Sequence, residues 1–293
     1  MDSPETISPR YVGLDTWSDA SILDALAEGQ ERAVAAARTA GPALIAAAEA
    51  IVGRLGGPGR LVYVGAGSSG ILAALDGMEL AGTFGWPEER VVFVLANGAA
   101  IVPFTGEPED DPENGRRAIG AVDLTPDDVV VAVAASGATP FTVAAAEVAA
   151  ARGALTIGIA GTADAPLLAA VDHPILLDSG PEVIVGSTRM GAGTAQKAAL
   201  NMLSTLVMIR LGRVIDGLMV DARIDNAKLR QRAIRMLVYL SGGDEAEAGA
   251  ALDRSDGRVK IAALVMRGFS PEEAEAKLAV AGGNLRTALA SLA

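Results

Sequence analysis

The sequence predicts an α/β fold: a flavodoxin-like parallel sheet of five strands with flanking helices, followed by a small C-terminal helical domain. Short apolar runs rich in valine, leucine and isoleucine recur along the chain and alternate with helical patterns. Strands that are apolar on both faces belong to parallel sheets covered on both sides. The helical domain is predicted because the composition shifts to glutamate, alanine and arginine after Gly242. We therefore expect two domains, residues 1–241 and residues 242–293.

The five predicted strands are short, mainly aliphatic runs between polar residues, glycine or proline. They are Leu61–Val64, Val91–Ala96, Val129–Ala134, Leu155–Ala160 and Pro174–Leu177. Helical patterns lie between most of these runs, at Ile71–Leu80, Pro140–Arg152 and Ala165–Val171. This alternation predicts parallel strand pairing, because parallel neighbours need a crossover connection that is usually a helix.

Helices are also predicted on both sides of the alternating region. Two precede it, the first starting at Ser18 or Asp19 and the second running over Pro42–Leu55. Those that follow it are Thr188–Leu211, Asp221–Leu240, Glu245–Asp253, Arg258–Arg267, Ser270–Ala281 and Asn284–Leu292. Ser270 and Asn284 are residue types that cap helix N-termini, which indicates where the last two helices begin.

Composition and charge narrow the classes of protein to consider. The net charge is −12 and no basic stretch has interleaved aromatic residues, so nucleic acid is not an expected partner. The absence of cysteine excludes disulfides and thiolate chemistry. The only histidine, His173, lies beside a strand and is expected to be structural, which leaves no histidine-based metal site. Neither a secretion signal nor an uninterrupted apolar run of about 18 residues is visible, so we expect a cytoplasmic protein without a membrane partner.

The most informative stretch is Gly65-Ala66-Gly67-Ser68-Ser69-Gly70, where the first strand ends and a helix is predicted to begin. The N–H groups at a helix N-terminus and the positive end of its dipole bind anions. The spacing matches neither Gly-x-Gly-x-x-Gly nor Gly-x-x-x-x-Gly-Lys-[Ser/Thr]. Ser68 and Ser69 add two hydroxyl donors, which suit the three oxygens of a phosphate monoester. This turn is therefore a candidate phosphate site.

A second turn of the same kind, Ser136-Gly137-Ala138-Thr139-Pro140, ends the third strand. In the flavodoxin-like strand order 2-1-3-4-5 the first and third strands are neighbours, and ligands bind outside their carboxyl ends. Ser68 and Ser69 are then expected to converge with Ser136 and Thr139 on one phosphate. Helix capping alone is the alternative explanation for these hydroxyl groups.

The two turns resemble those of the sugar isomerase (SIS) domain, a phosphosugar-binding fold. More specifically, the chain resembles the N-acetylmuramic acid 6-phosphate etherases over about residues 10–240, and more loosely beyond. The resemblance is densest in residues 180–197 (GPEVIVGSTRMGAGTAQK), 200–205 (LNMLST) and 226–229 (NAKL). Leu75-Asp76, Glu79 and Glu109-Asp110 also fall in the family's order and approximate spacing.

The resemblance implies a carbon–oxygen lyase. We expect no cofactor, and the lack of cysteine together with a single histidine favours carboxylate chemistry without a metal. The family cleaves the D-lactyl ether at C3 of N-acetylmuramate 6-phosphate, yielding N-acetylglucosamine 6-phosphate and D-lactate. Opening of the sugar ring exposes the C1 aldehyde, which acidifies the proton at C2. A base removes that proton, lactate leaves from C3, and water adds to the unsaturated aldehyde. Carboxyl groups catalyse such steps once burial raises a pKa toward neutrality.

The resemblance also implies which residues act. Glu79 and Glu109 match the family's catalytic pair. We assign Glu79 as the acid toward the departing oxygen and the base toward the incoming water, and its apolar neighbours in sequence are expected to raise its pKa. Glu109 is then assigned as the base that abstracts the C2 proton, although it lies in an acidic run of the kind found in solvated loops. The reverse division of the two roles is left open. Glu182, Ser187 and Arg189 are the implied sugar-binding residues.

Helix geometry places a constraint on Glu79. If the helix that begins near Ser69 is unbroken, Glu79 lies about 15 Å further along its axis, at 1.5 Å per residue. Either Gly77 ends the helix early, or Glu79 serves the site of a neighbouring subunit. SIS-like proteins commonly build sites at dimer interfaces, so we expect a homodimer.

The chain departs from the family pattern at three positions where a cation is usual, Ile71, Ala138 and Gly191. The glutamate pair is kept, but recognition of the lactyl carboxylate is left open. Two other functions would share the turns. A sugar-phosphate isomerase would not need the glutamate pair, and a phosphosugar sensor would bind without catalysis. Lactate release from N-acetylmuramate 6-phosphate distinguishes the three.

Overall fold

The structure is a computed structural model that describes residues 4–98 and 107–291. Contacts divide the chain into two compact units, Met1–Met78 with Glu89–Val207 and Glu79–Glu88 with Met208–Ala293. The second unit begins before the boundary at 241/242 that composition predicts. The reason is that the helix preceding this boundary buries Ala233, Ile234 and Leu237 in the core of the second unit. As limits of independently folding domains, residues 1–241 and 242–293 stay a prediction.

The first unit is built on a parallel five-stranded sheet. Its strands are β1 (Leu61–Gly65), β2 (Val91–Leu95), β3 (Val129–Val133), β4 (Leu155–Ala160) and β5 (His173–Leu176), in the order β2-β1-β3-β4-β5. β1, β3 and β4 are buried along their whole length, which explains their aliphatic sequences. The predicted fold class and strand order are confirmed.

Helices cover this sheet. Those that begin in the first unit are α1 (Asp19–Thr39), α2 (Gly41–Leu55), α3 (Gly67–Phe84), α4 (Pro112–Gly120), α5 (Pro140–Ala151), α6 (Pro166–Ala169) and α7 (Gly191–Arg210). Alanines of α5 pack against valines of β1 and β3 in one core cluster. The sequence pattern does not predict α4, because Asn114-Gly115 has the composition of a turn. Gly115 is required by packing, since a Cβ there would lie 2.2 Å from the carbonyl oxygen of Phe141 in α5.

The second unit contains a short hairpin and a set of helices. They are β6 (Val214–Ile215), β7 (Leu218–Met219), α8 (Ala227–Ser241), α9 (Glu245–Arg254), α10 (Val259–Val265), α11 (Pro271–Val280) and α12 (Leu285–Ala290). The hairpin, which the sequence pattern does not predict, turns at Asp216-Gly217, where both residues have positive φ, as two-residue hairpin loops require. Ser270 and Asn284 cap α11 and α12 as predicted.

Among residues 4–98 and 107–291, no single helix is both long enough and apolar enough to span a membrane. The helices α1 and α2 reach that length and hydropathy only when taken together, across a bend of 53°.

Candidate functional site

The carboxyl end of β1 leads into a tight turn whose shape depends on glycine. Gly67, the first residue of α3, has a φ of +59°, in a region that favours glycine. Gly65 and Gly70 lie so close together that a Cβ on Gly65 would be 2.8 Å from the Cα of Gly70. This contact brings the first turn of α3 against the end of β1. Ser68 is exposed in that turn, and Ser69 is buried.

The turn at the carboxyl end of β3 is built in a similar way. Gly137 has a φ of +70°, and a Cβ there would lie 2.4 Å from the Cβ of Ala165. The hydroxyl of Ser136 accepts a hydrogen bond from the N–H of Ala138 at 3.2 Å, so it shapes the turn. Thr139 occupies the N-cap position of α5, but its hydroxyl makes no capping bond. Capping therefore does not explain the presence of a hydroxyl at Thr139.

The sheet register places these two turns side by side. Gly65 of β1 pairs with Val133 of β3. Ser68 comes three residues after Gly65, and Ser136 comes three residues after Val133. Adjacent strands are about 4.8 Å apart, and the N–H groups of a first helical turn have no acceptor within their own helix. The turns therefore offer hydroxyl and N–H donors at neighbouring points on one edge of the sheet. That their four hydroxyl groups hold one phosphate stays a prediction.

Glu109 lies beyond β2, at the same edge of the sheet. The side-chain amide of Asn114 in α4 donates hydrogen bonds of 3.2 Å to the carbonyl oxygens of Ala96 and Pro108. These bonds tie the segment that carries Glu109 to the end of β2. Desolvation, and after it the charge of Asp110, raises the pKa of the half-buried Glu109 above its ordinary value. A raised pKa suits a general base that works near neutral pH, but the role itself stays a prediction.

Glu79 does not have the surroundings that the sequence suggests. α3 runs without a break to Phe84, so the alternative in which Gly77 ends the helix is wrong. Gly77 is instead a packing position, where a Cβ would lie 2.7 Å from the ring of Phe93 and 2.8 Å from that of Tyr63. Glu79 is exposed rather than enclosed by apolar neighbours. It remains about 15 Å from the first turn of the helix, at 1.5 Å per residue.

Glu182 is an anchor for the start of α7. Its buried carboxylate accepts hydrogen bonds from the N–H groups of Gly191 at 2.9 Å and Ala192 at 2.8 Å. A Cβ on Gly191 would lie 2.9 Å from the same carboxylate, which leaves little room for the cation usual at this position. Ser187 is half-buried and Arg189 is exposed in the loop before the helix. Sugar binding by these residues stays a prediction.

A buried polar network lies between β1, α3 and α7. Its residues are not among those predicted for the site from the sequence. The carboxylate of Asp76 accepts hydrogen bonds from the hydroxyl of Tyr63 (2.9 Å), the amide of Asn201 (2.7 Å) and the hydroxyl of Ser204 (3.0 Å). Desolvation raises the pKa of Asp76 even though these three bonds oppose the rise. The sequence feature that could have indicated this network is Asp76 itself, an acidic residue among the apolar residues of α3.

Within the two described ranges of the chain, no three histidine, aspartate or glutamate side chains are grouped as metal ligands. His173 is half-buried at the start of β5. The expectation that the site uses no metal stays a prediction.

Comparison with known proteins finds relatives over almost the whole chain. One family model described as SIS domain matches residues 26–161, and another with the same description matches residues 120–206. An N-acetylmuramic acid 6-phosphate etherase from Deinococcus radiodurans is 49% identical, over 97% of this chain and 94% of that protein. A protein of the same name from Rubrobacter xylanophilus is 42% identical, over 97% of this chain and 95% of that protein.

A solved structure also resembles the chain. It is a candidate phosphosugar isomerase involved in capsule formation from Bacteroides fragilis, with a TM-score of 0.51 and 22% identity. The match covers 68% of this chain and 95% of that one. At this level of identity, the likeness concerns the fold alone.

Proposed function

This chain belongs to the N-acetylmuramic acid 6-phosphate etherase family, and we propose that it cleaves the D-lactyl ether of N-acetylmuramate 6-phosphate. The products are N-acetylglucosamine 6-phosphate and D-lactate, so the enzyme is a carbon–oxygen lyase. The observation that carries the proposal is the 49% identity to an etherase over 97% of the chain. A parallel sheet with two hydroxyl-rich turns at one edge is consistent with a phosphosugar substrate.

The proposed mechanism divides proton transfer between two carboxyl groups. In the ring-opened substrate, the carboxylate of Glu109 takes the proton from C2. The C3–O bond breaks, a C2–C3 double bond forms, and the carboxyl group of Glu79 gives its proton to the leaving oxygen, which completes D-lactate. The carboxylate of Glu79 then takes a proton from water as the water oxygen adds to C3, and Glu109 returns its proton to C2. The net change is the consumption of one water per ether bond cleaved.

The phosphate of the substrate is proposed to bind at the turns after β1 and β3. The starts of α3 and α5 supply N–H donors and positive dipole ends. The hydroxyl of Thr139 supports the assignment, because no capping bond uses it. Backbone and hydroxyl donors also allow an anion to bind where the usual cations are replaced by Ile71 and Ala138.

We also propose a homodimer in which Glu79 acts in the site of the partner subunit. Two observations support it: Glu79 is exposed, and it lies about 15 Å from the first turn of α3. A mixture of Glu79→Gln and Glu109→Gln chains tests the arrangement. A mixed dimer then has one site with both glutamates, so random pairing should restore about a quarter of wild-type activity. No recovery after proven subunit exchange would contradict it.

A cytoplasmic location is proposed because the substrate is a phosphate monoester. Such a group carries about −1.5 to −2 charges at neutral pH, and charged groups cross the hydrocarbon core of a membrane only at high cost. An enzyme for this substrate therefore belongs where phosphorylated sugars are retained. Detection of the chain only outside the cytoplasmic fraction of cells would contradict this.

The direct test of the function is release of D-lactate from purified N-acetylmuramate 6-phosphate. Unphosphorylated N-acetylmuramate is the matched control, because it has the same ether and lacks the phosphate. We expect release from the phosphorylated sugar alone. Binding without release would favour a phosphosugar sensor, and interconversion of aldose and ketose phosphates would favour an isomerase.

A further inference from the structure

The segment Glu79–Glu88 carries the proposed acid and belongs to the second compact unit. Arg213 of the same unit binds the C-terminal end of α3, which lies in this segment. Arg213 donates hydrogen bonds from Nη1 to the carbonyl oxygens of Phe84 (2.8 Å) and Gly85 (2.9 Å). Its guanidinium also lies over the ring of Trp86, 5.0 Å from the ring centroid. A cation at this position satisfies terminal helix carbonyls and interacts favourably with the helix dipole.

Two backbone contacts hold the same segment. The N–H of Arg223 donates to the carbonyl oxygen of Gly82 at 3.2 Å. Gly85 has a φ of +59°, and a Cβ there would lie 2.2 Å from the carbonyl oxygen of Asp221. Glycine is therefore needed for this approach. The last turn of α3 is fixed by backbone packing as well as by Arg213.

A partly buried charge network keeps Arg213 in place. Its guanidinium lies 3.7 Å from the carboxylate of Asp221. Lys260 of α10 donates to the same carboxylate at 2.5 Å and to the carbonyl oxygen of Gly283 at 2.8 Å. The side chain of Lys260 is only 8% exposed. Because a buried charge without a partner is costly, loss of one member disturbs the others.

We propose that the network of Lys260, Asp221 and Arg213 positions Glu79 for proton transfer to the departing lactate. Phe84 lies five residues beyond Glu79, about 7.5 Å along the helix axis, so the anchored end of α3 controls where Glu79 projects. The inference rests on the proposed acid role of Glu79. It gives the C-terminal helices a task in catalysis, with Arg213 as a positioning residue that touches no substrate.

The variant Arg213→Gln tests the proposal, because the two proton transfers can be measured separately. In deuterated water, deuterium enters C2 of recovered substrate when the base acts, whereas lactate appears only when the acid also acts. A misplacement of about 1 Å lowers a rate about 100-fold. Lactate release should therefore fall roughly 10- to 100-fold while deuterium uptake at C2 stays near the wild-type rate. A purely structural role would lower both rates by the same factor.

Matched variants keep the test decisive. Arg230→Gln is the control, since Arg230 pairs with the exposed Asp253 at 2.7 Å in the same unit, and it should leave both rates unchanged. Arg213→Lys keeps the positive charge and should recover part of the lactate release. If Arg213→Gln does not fold, the double variant Asp221→Asn/Lys260→Met takes its place, because it removes both charges together. It should show the same separation of the two rates.

The proposal is overturned if folded Arg213→Gln, or the double variant, loses both rates equally or loses neither. Glu79→Gln in the same assay separates this outcome from a failure of the proposed mechanism. If Glu79→Gln releases lactate at the wild-type rate, the acid role is wrong. If Glu79→Gln blocks release and folded Arg213→Gln does not reduce it, only the positioning inference is wrong.

Discussion

The hydroxyl of Tyr63 donates a 2.9 Å hydrogen bond to the carboxylate of Asp76, which joins the interior strand β1 to α3. Each of the two residues is 2% exposed. Removing a carboxylate from water is costly unless hydrogen bonds replace the lost solvent. Tyr63, together with Asn201 and Ser204, supplies those bonds and thereby also fixes the helix to the sheet and to α7.

Asp76→Asn should change how stability depends on pH. Because desolvation raises the pKa of Asp76 above its ordinary value of 3.8, the folded state binds this proton more tightly than the unfolded state. The free energy of unfolding of the wild type should therefore decrease as pH rises from below 3.8 through the raised pKa. Asparagine does not titrate, so stability should shift in favour of the variant over that range. Urea unfolding at a series of pH values measures the difference, and parallel curves would contradict it.

If the turns after β1 and β3 hold the phosphate as proposed, loss of a hydroxyl from them should weaken binding of N-acetylglucosamine 6-phosphate. A hydrogen bond to a charged group contributes about 1.5–3 kcal/mol. Ser136→Ala and Thr139→Val should each raise the Kd about tenfold or more. Thr139→Ser keeps the hydroxyl and should bind as the wild type does. Calorimetry gives the affinities, and equal values for wild type and Ser136→Ala would remove this turn from the site.

The two glutamates should fail in different ways. In deuterated water, Glu79→Gln should wash deuterium into C2 without releasing lactate, and Glu109→Gln should do neither. Loss of a positioned acid or base lowers a rate about 10²–10⁴-fold, which NMR and a lactate assay resolve. Opposite behaviour would exchange the two roles, and full lactate release by both folded variants would exclude the pair.

Asp110→Asn should move the acid limb of the pH–rate profile. Desolvation and then the charge of Asp110 raise the pKa of Glu109, so removing that charge should lower the pKa. The base is then ionised at a lower pH, and the rise of kcat/KM with pH should begin earlier. Asp111→Asn, at the next position, is the matched control. An unchanged acid limb in Asp110→Asn would show that Glu109 is not the titrating base.

The strands were predictable and α4 was not, for a physical reason. β3 and β4 are covered on both faces, so nearly every residue must be apolar and the run stands out in the sequence. α4 depends on the close approach of Gly115 to α5, which local composition does not record. The asparagine, glycine and charged residues of α4 are therefore typical of a loop when the sequence is considered alone.

Some residues of the candidate site were likewise predictable from the sequence, and others were not. The two serine turns could be placed together in advance, because strand order alone brings the carboxyl ends of β1 and β3 side by side. The contact between Lys260 and Asp221 joins residues far apart in the sequence, and only the folded unit brings them together. The one local indication of this contact in the sequence is that Lys260 lies within the otherwise apolar run Val259–Val265. The exposure of Glu79 likewise depends on packing that apolar neighbours in sequence do not reveal.

Gly65 and Gly70 shape the turn after β1 through the side chains they lack. An alanine at either position would force α3 away from β1 and move the turn as a whole. Ile71 follows the first turn and Ala138 lies within the second, and neither takes part in the contact between Gly65 and Gly70. Under the proposed phosphate site, Ile71 and Ala138 can therefore be exchanged to alter sugar preference while the contact of Gly65 with Gly70 keeps the shape of the first turn. On that proposal, a different phosphorylated sugar is accommodated without remodelling of the scaffold, which makes this architecture evolvable.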